Sequence, residues 1–516
     1  MKDQPNGTTT PEPDARVRST AMIDAGRVTR PHPSWSGSDL DPEHRPSLRS
    51  MTAEAVAREG VGHTRLRLEV LGRERASGRW SPWESQLRDR GADIRRETLR
   101  DFEGYLSRLV AQLERHGVVV HRVSTAAEAR ETIGRIATEH GVTLIAKSKS
   151  MATEEIHLTP HLVGLGIDVV ETDLGEYIAQ VAGERPSHIV GPALHMSRQD
   201  VTDLFSQMRG ERLPADPDVL AAYARERLRA DFKAAQMGIC GVNFAAADTG
   251  TLVVVSNEGN VDMVTSQPDL LVAVMPVEKV IPRLVDIGTL VPLLCDAANK
   301  EFSTAYQTLL NGPRRPGETD GPREFHCVIF DNGRTALLGT PKEEILACIR
   351  CGNCQFSCPV FRTLGGGHAY GTTYGGPVGA VLSPLLGDAS HDRDLPFLCS
   401  LCGACADACP VKIPLPDLLV DGRADYEGEQ PRGLETRGWE LWGWLWSWPR
   451  LYWATLLAAR VAGRVLPRAF LGKLPVANLW ATGRTIPDVS HAGDGRALCH
   501  REASKRHHPG ANTGDR

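Results

Sequence analysis

The sequence predicts an α/β fold with a mainly parallel sheet, followed by a smaller, mainly helical domain. Two observations carry this. Short apolar runs alternate with helix-period segments from about residue 95 to 275. Eight cysteines crowd into 348–409, whereas none precedes Cys240. A chain of 516 residues exceeds one ordinary domain, so both parts fit.

In the first part, Leu99, Phe102, Leu106, Leu109, Val110 and Leu113 recur at helical spacing, and Gly117 ends that helix. Val118–Val120 reads as a buried strand. Thr125 and Glu128 make a capping-box pair before a helix that stops at Gly141. Val142–Ala146 is the next strand, a third helix starts near Thr153, and Ile167–Val170 is the third strand. A shorter helix, Glu176–Ala182, precedes a strand at Ile189–Val190. Asp216 caps a long helix, with Pro217 in its first turn, that ends near Met237–Gly238. Thr251–Ser256, a turn at Asn257–Asn260 and the apolar run Leu270–Met275 complete the alternation. Such alternation is Rossmann-like and argues for helices on both faces of the sheet. It lacks the glycine fingerprint of a nucleotide site.

The expected organisation follows from these patterns and from composition. Residues 1–55 form a disordered tail, 56–310 the α/β domain, and 311–335 a linker and connecting strand. The cysteine-bearing domain spans 336–430, a Trp-rich helical extension 431–490, and a second disordered tail 491–516. A net charge of −5 gives no reason to expect a nucleic-acid partner. The first residues lack the apolar core of a secretory signal, so a cytoplasmic protein is expected. In that reducing compartment twelve cysteines do not imply disulfides.

The cysteines carry the chemistry. Cys348, Cys351, Cys354 and Cys358 precede Pro359; Cys399, Cys402, Cys405 and Cys409 precede Pro410. Both runs read C-x2-C-x2-C-x3-C-P. In such a run three thiolates surround one [4Fe–4S] cubane, and the fourth ligates the other cluster. That pattern assigns Cys348, Cys351, Cys354 and Cys409 to one cluster, and Cys399, Cys402, Cys405 and Cys358 to the second. Zinc sites or free thiols are the bland alternative, but zinc modules arrange four ligands as two pairs. About forty residues (359–398) separate the runs, a gap resembling the α-helical ferredoxin modules of respiratory dehydrogenases and heterodisulfide-reductase-like subunits. Cys240, Cys295 and Cys327 sit among apolar residues and read as buried small hydrophobes, whereas Cys499 reads as an exposed thiol.

Several segments together resemble the lactate-utilisation protein B family, the iron–sulfur subunits of a three-part L-lactate oxidising system. They are Ala146–His157, Glu171–Glu176 continuing through Gly183–His188, Thr249–Thr251, Asn257–Asn260, Asp331–Arg334, Gly366–Gly371 with Gly376–Pro377, and Cys409–Pro416. They occur in order over about 60–490. The resemblance implies a first domain like the sugar-phosphate isomerases and CoA transferases. It also implies cytoplasmic oxidation of L-lactate to pyruvate, with a cysteine-rich partner subunit and a second, smaller lactate-utilisation-domain protein. The long N-terminal tail and Cys240 depart from the family pattern without touching a cluster ligand.

Several other residues are candidates for chemistry. Lys147 and Lys149 flank a serine-rich turn that could hold a carboxylate or phosphate, or be a solvated basic loop. Glu258 lies in a tight turn, where related CoA transferases carry a nucleophilic glutamate; a solvated turn carboxylate is the commoner case. His157, His188 and His368 could move protons, but each reads first as a structural histidine. Trp439, Trp442 and Trp446 share one helical face. Packing on the cluster domain or a partner subunit is the preferred reading of that face, with peripheral membrane contact as the alternative. No residue stands out as catalytic. The reading is therefore an electron-transfer subunit of an L-lactate dehydrogenase-type oxidoreductase complex. The alternative is a CoA-transferase- or isomerase-like enzyme with structural or sensing clusters.

Overall fold

Ser81 opens the first long helix with a capping box: its hydroxyl accepts the Glu84 N–H, and the Glu84 carboxylate accepts the Ser81 N–H. The computed structural model describes residues 52, 80–184, 186, 189–366, 370–387, 392–429 and 433–465. The chain divides into two units, Met1–Gly428 and Glu429–Arg516.

The first unit is built on a six-stranded parallel sheet. Its strands are β1 (Val119–Val123), β2 (Leu144–Lys147), β3 (Asp168–Glu171) and β4 (Met237–Gly241). After β5 (Phe244–Ala246) and β6 (Thr251–Ser256) come β7 (Leu270–Pro276), β8 (Val280–Ile281), β9 (Tyr306–Leu310) and β10 (Glu324–Phe330). The parallel sheet runs β1-β10-β7-β4-β2-β3; the other four strands form a second sheet, β8-β5-β6-β9. Strands β4 and β7 are buried along their whole length, as befits central strands covered on both faces.

The parallel sheet and its helices agree with the expected class, and several local readings are corrected. Val118–Val120 leads into an edge strand, and Val119 is 44% exposed. The first helical stretch is two helices, Pro82–Arg100 and Phe102–Arg115, parted at Asp101. The third helix breaks at His157, which adopts a left-handed φ of 50° between Met151–Glu155 and Leu158–Gly164. Ile189–Val190 forms a bend rather than a strand, with Gly191 and Pro192 directly behind it. The helix capped by Asp216 ends at Ala234, because Met237–Gly241 is needed as a central strand. The Gly- and Pro-rich stretch 311–323 joins β9 to β10 within the α/β part. Strand β10 lies inside the sheet between β1 and β7, rather than leading out of it.

The cysteine-bearing segment packs on the α/β part through buried charge. Arg88 lies about two turns before Arg95 and Arg96 on the helix Pro82–Arg100. The Arg88 guanidinium donates to the Cys409 and Asp407 carbonyls at 2.7 and 3.1 Å. Arg96 pairs with Glu344 at 2.8 Å. Arg95 is 1% exposed and donates to the carbonyls of Val280 (2.8 Å), Leu346 (2.9 Å) and Ala347 (3.2 Å). Beside it, the buried Glu278 carboxylate meets Arg334 at 2.6 Å and Arg350 at 2.9 Å. Arg334 also pairs with Glu155 at 2.6 Å, and the Tyr374 hydroxyl donates to Glu155 at 2.7 Å.

The second unit contains two helices, Leu434–Ser447 and Pro449–Val465. Trp442 meets Trp446 at a tilt, 4.4 Å between ring centres, and Trp439 edge-on at 5.7 Å, so these three indoles do share a face. All three are more than one-third exposed. No described helix is long and apolar enough to cross a membrane.

Burial opposes the Glu278 charge, but Arg334 and Arg350 outweigh it and hold the carboxyl down to about 2. Its stabilising contribution is therefore present above the ordinary carboxylate range and is lost only as pH falls through about 2. Glu278→Gln leaves two arginines short of charge and should cost about 3–5 kcal/mol at neutral pH. The exposed Glu103–Arg122 pair provides the contrast. Glu103→Gln should cost less than about 1 kcal/mol, both values read from denaturant unfolding without oxygen.

Candidate functional site

The two cysteine runs fold alike, residue by residue. In the first, Arg350 takes a left-handed φ of 61° and its N–H points at Cys348 Sγ, 3.4 Å away. In the second, Leu401 takes φ 54° and its N–H points at Cys399 Sγ at 3.2 Å. Gly352 and Gly403 follow at φ 75° and 82°, each opening a one-turn helix, Asn353–Ser357 and Ala404–Ala408. The two short helices pack together, and Asn353 Nδ2 donates to the Ala408 carbonyl at 2.8 Å. At the end of each run an N–H turns back on the last sulfur: Phe361 on Cys358 (3.5 Å) and Ile413 on Cys409 (3.3 Å). Two non-glycine residues in the left-handed region are strained, and the strain buys sulfur-directed amides.

The eight thiols fall into two groups. Cys348 and Cys409 lie within electrostatic reach of Cys351, and Cys348, Cys351 and Cys409 of Cys354. Cys399 and Cys402 lie within reach of Cys358, and all three of Cys405. Cys354 also feels Cys405, so the groups adjoin. The fourth cysteine of each run thus sits with the first three of the other. Burial and neighbouring thiols push Cys405 up to about 12, and burial pushes Cys409 up to about 11. Such thiols keep their protons at neutral pH unless a metal displaces them. No disulfide joins the described cysteines. Among the described residues no three His, Cys, Asp or Glu side chains converge on a single-ion site. Eight thiols, backbone amides aimed at sulfur and a largely buried setting fit [4Fe–4S] ligation.

The groups differ in exposure. Cys351, Cys354 and Cys409 are buried and Cys348 is half-buried, whereas Cys402 is exposed beside the exposed Leu401. Cys240, Cys295 and Cys327 are buried as expected. Cys240 and Cys327 flank Ala273 in the sheet register, and burial pushes Cys240 up to about 12. Cys499, His188 and His368 lie outside the described residues.

A second constellation lies at the carboxyl ends of β2 and β3. Lys147 is fully buried, with its ammonium 2.7 Å from Glu171 and 3.1 Å from Glu154. Burial opposes that charge, but the two glutamates outweigh it and raise the Lys147 pKa. Lys149 donates to the Val190 carbonyl at 2.9 Å. The structure therefore corrects the reading of a paired-lysine anion cradle or solvated basic loop: Lys147 is neutralised inside. Burial pushes Glu171 up to about 7, and raises Glu176 well above the ordinary range. Glu258 accepts the Leu174 N–H at 3.0 Å, at the start of the helix Leu174–Ala182. This cluster of glutamates escaped the sequence reading.

Two family models match: a LUD domain over 106–330 and a 4Fe-4S dicluster domain over 344–413. "Lactate utilization protein B" of Geobacillus thermodenitrificans is 47% identical over 358 residues, covering 69% of this chain and 74% of the relative. The protein of that name from Anoxybacillus flavithermus is 45% identical over 371 residues, covering 71% and 78%.

This chain belongs to the lactate utilization protein B family.

Its cofactors are two [4Fe–4S] clusters, and it is an iron–sulfur protein of lactate utilisation. A crystal structure of a duf162 family protein from Deinococcus radiodurans covers 44% of the chain at 14% identity, with a TM-score of 0.25.

Replacing Lys147 by Met strips Glu154 and Glu171 of their counter-charge. The variant should unfold about 3–5 kcal/mol more easily at pH 8. Against burial, Lys147 holds the folded Glu171 pKa down to about 7, so without it that pKa rises further and the variant's extra cost grows as pH climbs through about 7. The deficit should shrink at pH 6, which paired melts at the two pH values would show.

Proposed function

We propose that this chain relays electrons, one at a time, from L-lactate toward an acceptor. L-lactate becomes pyruvate by losing two electrons and two protons. On this reading that two-electron step belongs to a partner subunit or a subunit boundary, and each cluster carries one electron of the pair. The partners are the cysteine-rich lactate-utilisation subunit and a second LUD-domain protein, and the assembly is cytoplasmic. The observation that carries the reading is the crossed grouping of the cysteines: two cubanes sharing interleaved ligands must stand close together.

The proposed ligands are Cys348, Cys351, Cys354 and Cys409 for one cluster, and Cys399, Cys402, Cys405 and Cys358 for the other. When bound, the clusters supply one-electron redox chemistry. The protein's own groups set how that site is held. Arg350 and Leu401 direct N–H groups at sulfur, and Arg88 anchors the Cys409 carbonyl. The exposed Cys402, with Leu401 and Phe397 each 43% exposed nearby in sequence, supports the second cluster as the one facing a redox partner. Glu258 capping a helix gives no support to a carboxylate nucleophile, so the CoA-transferase reading gains nothing from the geometry.

Two experiments test this. In the complex isolated without oxygen, L-lactate should bleach the cluster absorbance, and D-lactate or glycolate should not. Intact clusters that ignore L-lactate would overturn the relay. For the ligands, Cys348→Ser and Cys409→Ser should remove one and the same paramagnetic signal and about half of the iron. Cys358→Ser should remove the other signal, together with Cys399→Ser. A Cys409→Ser variant that groups with Cys399→Ser would overturn the crossed assignment.

A further inference from the structure

A cavity of about 220 Å³ opens beside Glu171, and its lining includes Glu154, Thr159, Val163, Glu171, Glu176 and Ala179. It lies where open α/β sheets bind ligands, outside the carboxyl ends of parallel strands. Two lining atoms have no hydrogen-bond partner: Glu171 Oε2 and Thr159 Oγ1. Both residues are more than nine-tenths buried, at 5% and 9% exposure. Buried polar atoms are ordinarily satisfied, so an unpartnered pair facing one cavity points to something that enters it.

The charge around the cavity selects what enters. Glu154, Glu171, Glu176 and Glu184 present four carboxyl groups. Among the described residues the ammonium beside them is Lys147, bonded to two of them. The Lys149 ammonium is bonded to a carbonyl, and Glu184 is met by the His195 ring at 2.6 Å. A carboxylate or phosphate brought here would meet Glu171 Oε2 head-on. A metal ion does not fit, since no three carboxylates of the described residues converge. A group with N–H donors and positive charge supplies what the wall lacks. Val163, Ala179 and Pro160 add apolar surface to the lining.

We propose that this cavity binds a small organic ammonium ion with a short apolar chain, donating to Glu171 Oε2 and Thr159 Oγ1. The lactate carboxylate is excluded from it. The apolar chain of the ligand packs against Val163 and Ala179.

Calorimetric titration of the full chain, isolated without oxygen and with its iron intact, tests this. The probes are n-propyl-, n-butyl- and n-pentylammonium, with L-lactate and 1-butanol for comparison. At least one ammonium ion should bind saturably, one per chain. Glu171→Gln should weaken it about tenfold or more, the worth of one charge-assisted contact. Val163→Phe, which fills the cavity and leaves its charge alone, should weaken it as much, and Thr159→Val about threefold. If Glu171→Gln fails to fold by circular dichroism, the two uncharged variants decide. The proposal is overturned if none of the three ammonium ions binds, if Val163→Phe leaves their affinity unchanged, or if L-lactate binds and Val163→Phe abolishes it. The heat of binding is independent of electron transfer, so failure here leaves the relay intact.

Discussion

Glu278 has no access to solvent, and it holds three stretches of chain in place. It stands just past the carboxyl end of β7, between Arg334 and Arg350, while Arg95 bonds the carbonyls on either side of the junction. Arg334 follows β10, and Arg350 lies between the first two cysteines of the first run. The carboxylate therefore fixes where that run begins relative to the parallel sheet. Buried ion pairs add little net stability when an apolar substitute is imaginable, but removing one partner is severe. Here the placement of the cysteine run brings Arg334, Arg350 and Tyr374 around Glu155 and Glu278 at once. Positioning of this kind is what a relay needs, because electron transfer depends on a fixed distance between carriers.

The same logic explains the clamp made by the helix Pro82–Arg100. Its arginines reach backbone carbonyls on both sides of the cluster module, including that of Cys409. A guanidinium on a carbonyl holds position without adding a competing thiol or carboxylate near iron. The left-handed residues Arg350 and Leu401 add the local half of the design: each costs strain and each aims an amide at sulfur. Amides directed at cluster sulfur are among the known determinants of reduction potential. The α/β part keeps its glutamate-lined cavity at the opposite kind of site, one made by folding charge inward at strand ends.

The cysteine runs were legible because their spacing is covalent and needs no tertiary knowledge. The parallel sheet was legible for a similar reason, since β2, β3 and β7 are short apolar runs between helix signals. Strand β4 was not, because Met237-Gly-Ile-Cys-Gly241 holds two glycines and reads as a helix end. The structure supplies the reason for one: a Cβ on Gly238 would come within 2.1 Å of the Val264 carbonyl oxygen. The helix Pro82–Arg100 was missed because arginines take positions that apolar residues usually hold, and their partners lie hundreds of residues away. The buried glutamates were invisible on the same ground. A carboxylate at 155, 171 or 278 looks like surface until the fold shows an arginine or lysine beside it.

The central claim is that two clusters with interleaved ligands sit close enough to pass electrons. Low-temperature electron paramagnetic resonance of the isolated chain, reduced stepwise with dithionite, measures this most directly. A half-reduced sample should show a simple single-cluster spectrum, and full reduction should split and broaden it through magnetic coupling between neighbours. Two fully reduced clusters whose spectra merely add, with no coupling, would contradict the account.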